Sequence, residues 1–262
     1  MPNTSYIIII KNIHKTLVRK KSKMSNIFVT AAFKTDIKNQ AYIFMKREYL
    51  KEDYAPGKPA SDEKIEYGPA NVCEFPSLKN TIFEDAGIDC AFGSHNPGEA
   101  YIFAWNNVAR WIYPSDSRND EIIEGPIPIT TMFPFLKETV FESGVDAAFE
   151  SSIKYEAYLF KGDKYARINY GKQNPGCLNY GSIKEYWPVF KNTIFENGGF
   201  NAALASHLER EAYIFKGDYY ARIKFTPGKS KDELMGGDVI KLKDYWKALE
   251  SYLPRRQVFL NV

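Results

Sequence analysis

Asp146-Ala-Ala-Phe149, followed six residues later by Glu156-Ala-Tyr-Leu-Phe-Lys-Gly-Asp-Lys-Tyr-Ala-Arg167, is the stretch that decides the fold. Its second half reads as a hairpin: an apolar-aromatic run at 157–160, the turn Lys161-Gly162-Asp163, and a second run at 165–170. Two short β-prone runs around a glycine-containing turn pair with each other. The same pattern returns at 212–215, Lys216-Gly217-Asp218 and 220–225.

Working outward, the opening motif occurs four times. Thr30-Ala-Ala-Phe33, Asp89-Cys-Ala-Phe92, Asp146-Ala-Ala-Phe149 and Asn201-Ala-Ala-Leu204 are spaced by 59, 57 and 55 residues. Ala41-Tyr-Ile-Phe44, Ala100-Tyr-Ile-Phe103, Ala157-Tyr-Leu-Phe160 and Ala212-Tyr-Ile-Phe215 keep the same intervals. After the third strand of a copy comes a polar loop, such as Ala55-Pro56-Gly57-Lys58-Pro59. Gly68-Pro69 and Gly125-Pro126 follow in the first two copies. The first three copies close on an aromatic-Pro step and a short helical pattern, at 75–83, 133–141 and 187–195. A single unit of this size cannot bury its own apolar face, but radial stacking buries it and leaves only short edges. The expectation is an all-β, four-bladed β-propeller with short helices between blades. The Gly-His and Trp-Asp signatures of WD40 blades are missing, as is the paired-glycine pattern of kelch repeats.

Composition agrees. Aromatic residues make up 15% of the chain, with 18 Tyr and 18 Phe, and favour pleated, half-buried surfaces. Three cysteines, Cys73, Cys90 and Cys177, cannot all pair and do not make a disulfide framework, which points to a reducing, intracellular setting. The formal charge of +3 is uneven. Lys11, Lys15, Arg19, Lys20, Lys21 and Lys23 precede the first repeat with no acid among them, and without them the remainder is −3. A nucleic-acid-binding domain carries its basic patch within the fold, so that class is disfavoured. The apolar run Ile7 to Ile10 is far too short to span a membrane, and its basic cluster lies downstream, the reverse of a secretory signal. Residues 1–24 therefore read as a basic extension, either disordered or upstream of a start at Met24. The repeats occupy 25–253, with blades at about 25–84, 85–142, 143–197 and 198–253, and 254–262 reads as a C-terminal tail. Lys231-Asp232-Glu233-Leu234 is internal and carries no retention meaning.

The residues from Asp146 to Arg167 resemble the hemopexin repeat, and the resemblance extends over roughly 25–253. Tyr-Ala-Pro-Gly at 54–57, Met-Phe-Pro-Phe at 132–135 and Lys-Gly-Asp-Tyr-Tyr-Ala-Arg at 216–222 are similar to the plant albumin-2 subgroup. The resemblance implies a cytosolic, non-enzymatic seed albumin with an axial Ca²⁺ or Na⁺, able to bind a polyamine such as spermine, and haem. A homodimer is a further expected assembly. No cysteine lies where animal modules tie the first blade to the last, so closure is expected to be noncovalent. The first copy departs most, with Lys46-Arg47-Glu48 in place of the Lys-Gly-Asp turn.

Three sets of residues are candidates for binding, and a fourth, of arginines, is read as structural. Thr30, Asp89, Asp146 and Asn201 hold one equivalent position, and their main-chain carbonyls form an expected ring for Ca²⁺ or Na⁺. Taken singly, each merely begins a strand after a turn. Glu99, Glu156 and Glu211, with Gln40 in the first copy, are either solvated carboxylates or an acidic ring for a polyamine. Arg110, Arg167 and Arg222, with Lys51, are expected to pair with carboxylates across blades. His95 and His207 lie in opposite blades. Six residues of strand would place them about 20 Å along, too far apart to share an iron, so one serves as a sole haem ligand or both are loop residues. His-Glu-x-x-His, Gly-x-Ser-x-Gly and P-loop motifs are missing, which disfavours an enzyme. The alternative to a ligand-binding albumin is an interaction scaffold using the propeller faces.

Overall fold

The computed structural model describes residues 23–58, 60–114 and 119–259; the basic extension expected at the start, with His14, falls outside them except for its last residues. Four antiparallel sheets stand around one axis. The first contains β2 (Ala31–Lys34), β3 (Gln40–Met45), β4 (Glu48–Asp53) and β5 (Lys64–Asn71). The second contains β6 (Cys90–Gly93), β7 (Glu99–Ala104), β8 (Asn107–Ile112) and β9 (Glu121–Pro128). The third contains β10 (Ala147–Glu150), β11 (Glu156–Lys161), β12 (Lys164–Asn169) and β13 (Gly176–Ser182). The fourth contains β14 (Ala202–Ala205), β15 (Glu211–Lys216) and β16 (Tyr219–Lys224), with its outer edge broken into β17 (Glu233–Leu234) and β18 (Ile240–Lys241). The innermost strands β2, β6, β10 and β14 pack on one another in a closed circle.

The core lies between blades rather than within them. Alternation along an inner strand sends Phe33 to the seam with the second blade and Ala32 to the seam with the fourth. Each of the four buried clusters accordingly spans one seam. Phe149, fully buried among Tyr158, Trp187 and Phe225, shows what a seam is made of; truncating such a ring costs about 3–5 kcal/mol. Short helices close the blades: α1 (Ile82–Ala86), α2 (Ile129–Met132), α3 (Ile183–Tyr186) and α4 (Leu242–Tyr245), with 3-10 turns beside them. The outer strands bend at Gly68 and Gly125, both at positive φ, where a Cβ would stand 2.6 Å from the carbonyl oxygens of Tyr49 and Val108.

One boundary needs correction. The supposed C-terminal tail is largely a strand, β19 (Arg255–Phe259), which pairs antiparallel with β1 (Lys23–Ile27). Arg255 reinforces the closure with two bonds to the Glu48 carboxylate at 2.6 and 2.7 Å. The ring is thus closed by a backbone ladder and an ion pair.

Candidate functional site

The four equivalent positions do come together. Thr30, Asp89, Asp146 and Asn201 line one cavity of about 810 Å³ at an end of the axis, with Lys46, Lys161 and the 60% exposed Trp105 at its rim. Each backbone N–H starts its hairpin by donating at 2.8 Å to Phe44, Phe103, Phe160 and Phe215 respectively. Each side chain holds the far turn of the same hairpin. Thr30 Oγ1 accepts from the Lys46 amide at 2.8 Å and Asp89 Oδ2 from Trp105 at 2.7 Å. Asp146 Oδ2 accepts from Gly162 at 2.8 Å and Asn201 Oδ1 from Gly217 at 2.6 Å. The exchange of Thr, Asp and Asn at this position therefore has a local cause, since all three present a short acceptor. The charges here are balanced. Lys46 Nζ pairs with Asp89, and Lys161 Nζ lies 3.5 Å from Asp146. Among the described residues no group of three or more His, Cys, Asp or Glu is placed to hold a metal. A cation at this mouth would thus rest on main-chain oxygens and water, the hard donors that Ca²⁺ or Na⁺ accepts.

The opposite end of the inner strands holds residues the sequence reading did not single out. Lys34, from the first blade, reaches Glu150 of the third at 3.3 Å and donates to the Ser206 carbonyl of the fourth at 2.9 Å. Gly93 of the second blade supplies the clearance, because a Cβ there would lie 3.2 Å from Lys34 O and 3.4 Å from Glu150 Oε1. Glu150 is only 6% exposed, and its Oε2 has no hydrogen-bond partner. The signal was available: four residues past each ring position the copies read Lys34, Gly93, Glu150 and Ala205.

The glutamate set is not a free acidic ring. Glu99 meets Arg110 at 3.0 Å, Glu156 meets Arg167 at 2.8 and 3.1 Å, and Glu211 meets Arg222 at 2.9 and 2.7 Å. These pairs lie within a blade, between its second and third strands, and not across blades as expected. The first blade lacks the pair: Gln40 Nε2 instead donates to Glu66 at 2.6 Å, and Lys51 lies over the Tyr67 ring.

The two histidines are interblade staples. His95 Nδ1 lies 2.6 Å from the Tyr170 hydroxyl, which also accepts the His95 amide at 3.0 Å, and Nε2 lies 3.0 Å from the Ser151 carbonyl. His207 does the same with Tyr54, at 2.7 and 2.8 Å, while its Nε2 lies 3.1 Å from the Thr35 carbonyl. Burial pushes both imidazoles below their ordinary pKa. Both nitrogens of each ring are engaged, which leaves neither histidine a nitrogen for iron. Tyr113 takes the amide of Asp36 in the same way at 2.9 Å, whereas Phe225, at the fourth equivalent position, has no hydroxyl to offer.

Comparison with known proteins agrees with this architecture. The hemopexin family model matches residues 145–192. Albumin-2 of Pisum sativum is 46% identical over 228 residues, covering 87% of this chain and 96% of that protein. Albumin-2 of Lathyrus sativus is 47% identical, covering 87% and 98%. Among solved structures, a plant albumin from Cicer arietinum described as showing hemagglutination superposes with a TM-score of 0.81 at 48% identity, covering 87% of this chain and 99% of that one. Another structure from Cicer arietinum, described as a plant lectin with two metal binding sites, gives the same TM-score, identity and coverage. With near-complete coverage by relatives well above 30% identity, and with the four blades they share, the chain belongs to the albumin-2 family of hemopexin-fold seed albumins.

Proposed function

We propose that this protein is a non-enzymatic binding and storage albumin of the seed cytoplasm whose axial mouth holds a hard cation, Ca²⁺ or Na⁺. The observation that carries the reading is the convergence of Thr30, Asp89, Asp146 and Asn201, one from each blade, on a single cavity of about 810 Å³. Their side chains are committed to the hairpin turns, so coordination falls to main-chain oxygens at the usual Ca²⁺ distance of about 2.3–2.6 Å. Asp146→Ala should therefore retain the cation in calorimetry and in a calcium-soaked crystal. Loss of the cation in that variant would overturn main-chain ligation. Spermine at Glu99, Glu156 and Glu211 would have to displace three arginines, and haem at His95 or His207 would have to break hydrogen bonds on both ring nitrogens. Those two ligands form no part of the proposal.

A second reading, saccharide recognition, is favoured by one feature of this chain: a cleft of about 790 Å³ between the second and third blades, walled by both aromatic and polar groups. The Cicer arietinum relatives described as agglutinating and as a lectin support it. Agglutination of erythrocytes by the purified protein tests it directly.

A further inference from the structure

Two of the four seams share a closing bond on a tyrosine, a third buries its tyrosine hydroxyl without one, and the seam between blades two and three is left open. Tyr42, Tyr101, Tyr158 and Tyr213 hold equivalent places in the second strands. In the seam between blades one and two, the Tyr42 hydroxyl donates to the Pro114 carbonyl at 3.2 Å. In the seam between blades three and four, the Tyr158 hydroxyl accepts from the Gly228 amide at 3.3 Å. Each time, the loop after the third strand of the next blade folds down on the tyrosine. Gly228 comes so close that a Cβ would lie 2.3 Å from Arg167 Nη1, and the space remaining there is about 100 Å³.

Between blades two and three the corresponding loop is shorter, six residues at 170–175 against eight at 225–232. It stands off Tyr101, whose hydroxyl has no hydrogen-bond partner among the described residues, and it leaves the cavity of about 790 Å³. That size is typical of small-ligand sites. One wall is aromatic: Tyr101 lies 5.7 Å from Phe133 and 5.2 Å from Tyr170, with Tyr155 adjoining. The other is a charge relay in which Arg110 bridges Glu99 and Glu124, each at 3.0 Å. Asn96 donates to Glu99 at 3.1 Å and accepts from the Tyr155 hydroxyl at 3.4 Å. Arg110 Nε is buried with no hydrogen-bond partner.

We propose that this cleft is a saccharide-binding site; the inference rests on the saccharide reading above and deepens it by placing the sugar. The chemistry selects the ligand class. A pyranose ring carries an apolar C–H face and a rim of hydroxyls that both donate and accept. The cleft offers an aromatic wall for the first, and carboxylate acceptors, a guanidinium and an amide for the second. A wholly apolar ligand would strip the Glu99–Arg110–Glu124 relay of water without replacing its bonds. A polycation would face Arg110 at the centre of the relay.

The test uses the purified protein and a panel of glucose, galactose, mannose, N-acetylglucosamine and their short oligomers, read by saturation-transfer NMR and calorimetry. Erythrocyte agglutination and spermine binding are measured in parallel. Two variants probe the cleft: Glu124→Gln, a change on an exposed side chain, and replacement of 171–175 by 226–232, which closes the opening. A sugar that binds wild type should lose about tenfold in affinity in the first variant, the cost of one charged hydrogen bond, and most of its binding in the second. If agglutination and sugar binding persist unchanged in both folded variants, saccharide recognition stands and the site assignment falls. If wild type neither binds a sugar nor agglutinates, both fall. Spermine bound in the cleft and displaced by loop closure would overturn the ligand class.

Discussion

The seam between blades two and three and the seam between blades four and one share a staple and differ in what lies behind it. His95 with Tyr170 and His207 with Tyr54 make the same bonds with closely matching lengths. Behind the second staple, however, stands Glu52, at the place where the other blades have Trp111, Ile168 and Ile223. Glu52 is 0% exposed and neither of its oxygens has a partner. Burial, reinforced by the nearby carboxyls of Glu63 and Asp53, pushes its pKa well above the carboxylate range. Glu63, which reaches the Ala248 amide of the fourth blade, is pushed up to about 7, burial outweighing the amides and the Lys247 charge that pull it down. The repeat thus specifies how a seam is joined, while residues that break the repeat specify how it answers to protons.

The largest expected effect follows from removing that exception. Glu52→Ile, which installs the residue of blades three and four, should raise stability at pH 8 by about 1–3 kcal/mol, the desolvation cost of an unpaired buried polar group. Chemical denaturation at pH 8 checks it, and no gain would mean that Glu52 finds a partner in solution. The same experiment sharpens the comparison through pH. Both carboxyls keep their protons in the folded protein after the unfolded chain has released them, so their contribution is complete below the ordinary 4.5 and is lost as pH rises, through about 7 for Glu63 and through the raised pKa of Glu52. The staple histidines work in the opposite sense. With folded pKa values below 6.5, their contribution is complete above that pH and is lost as pH falls beneath it. Urea titrations of wild type and Glu52→Ile across pH 5–9 should therefore diverge progressively as pH rises, while the histidine-linked loss on the acid side stays common to both.

Smaller effects test the shared part. Tyr54→Phe should cost about 1–2 kcal/mol, because it strands the His207 amide and ring nitrogen. Tyr170→Phe should cost less, because the Tyr155 amide still reaches His95 Nδ1 at 3.2 Å; equal costs would show that the Tyr155 contact contributes nothing. Phe225→Tyr should change stability little, since the third seam is packed without this bond. Asp146→Ala, which frees the Gly162 amide, should cost about 1 kcal/mol, as loss of a capping acceptor does, measurable as a lower Tm. A comparably small effect belongs to Arg255→Gln at the clasp. Arg255 and Glu48 are both partly exposed, and such pairs contribute about 0–1 kcal/mol.

What could be read in advance is what repeats. Four variants of an Ala-Ala-Phe start and of an Ala-Tyr-Ile-Phe strand gave the blades, the hairpins and the equivalence of the ring positions. The Glu–Arg pairing was also within reach. Tyr101 sits opposite Arg110 in the hairpin register, so Glu99, two residues back on the same face, is its diagonal neighbour. The staples were not legible, because His207 finds Tyr54 across 153 residues and nothing local marks the partnership. The strand β19 escaped for a similar reason: Arg-Arg-Gln-Val-Phe belongs to no repeat and, among the described residues, forms a ladder with β1 alone. The closing segment of the fourth blade also went unnamed, since Lys247 follows Trp246 where the other copies have proline.

The β1–β19 clasp has a mechanical consequence. Lys23 faces Phe259 on the outermost rung, and Ile27 faces Arg255 on the innermost. A force applied to the two chain ends therefore pulls on one side of the ladder and peels it rung by rung, instead of shearing all rungs at once. Under tension the ring would come apart as a zipper opens, first at the clasp, then at the Arg255–Glu48 pair, and only afterwards at the seam that holds Glu52.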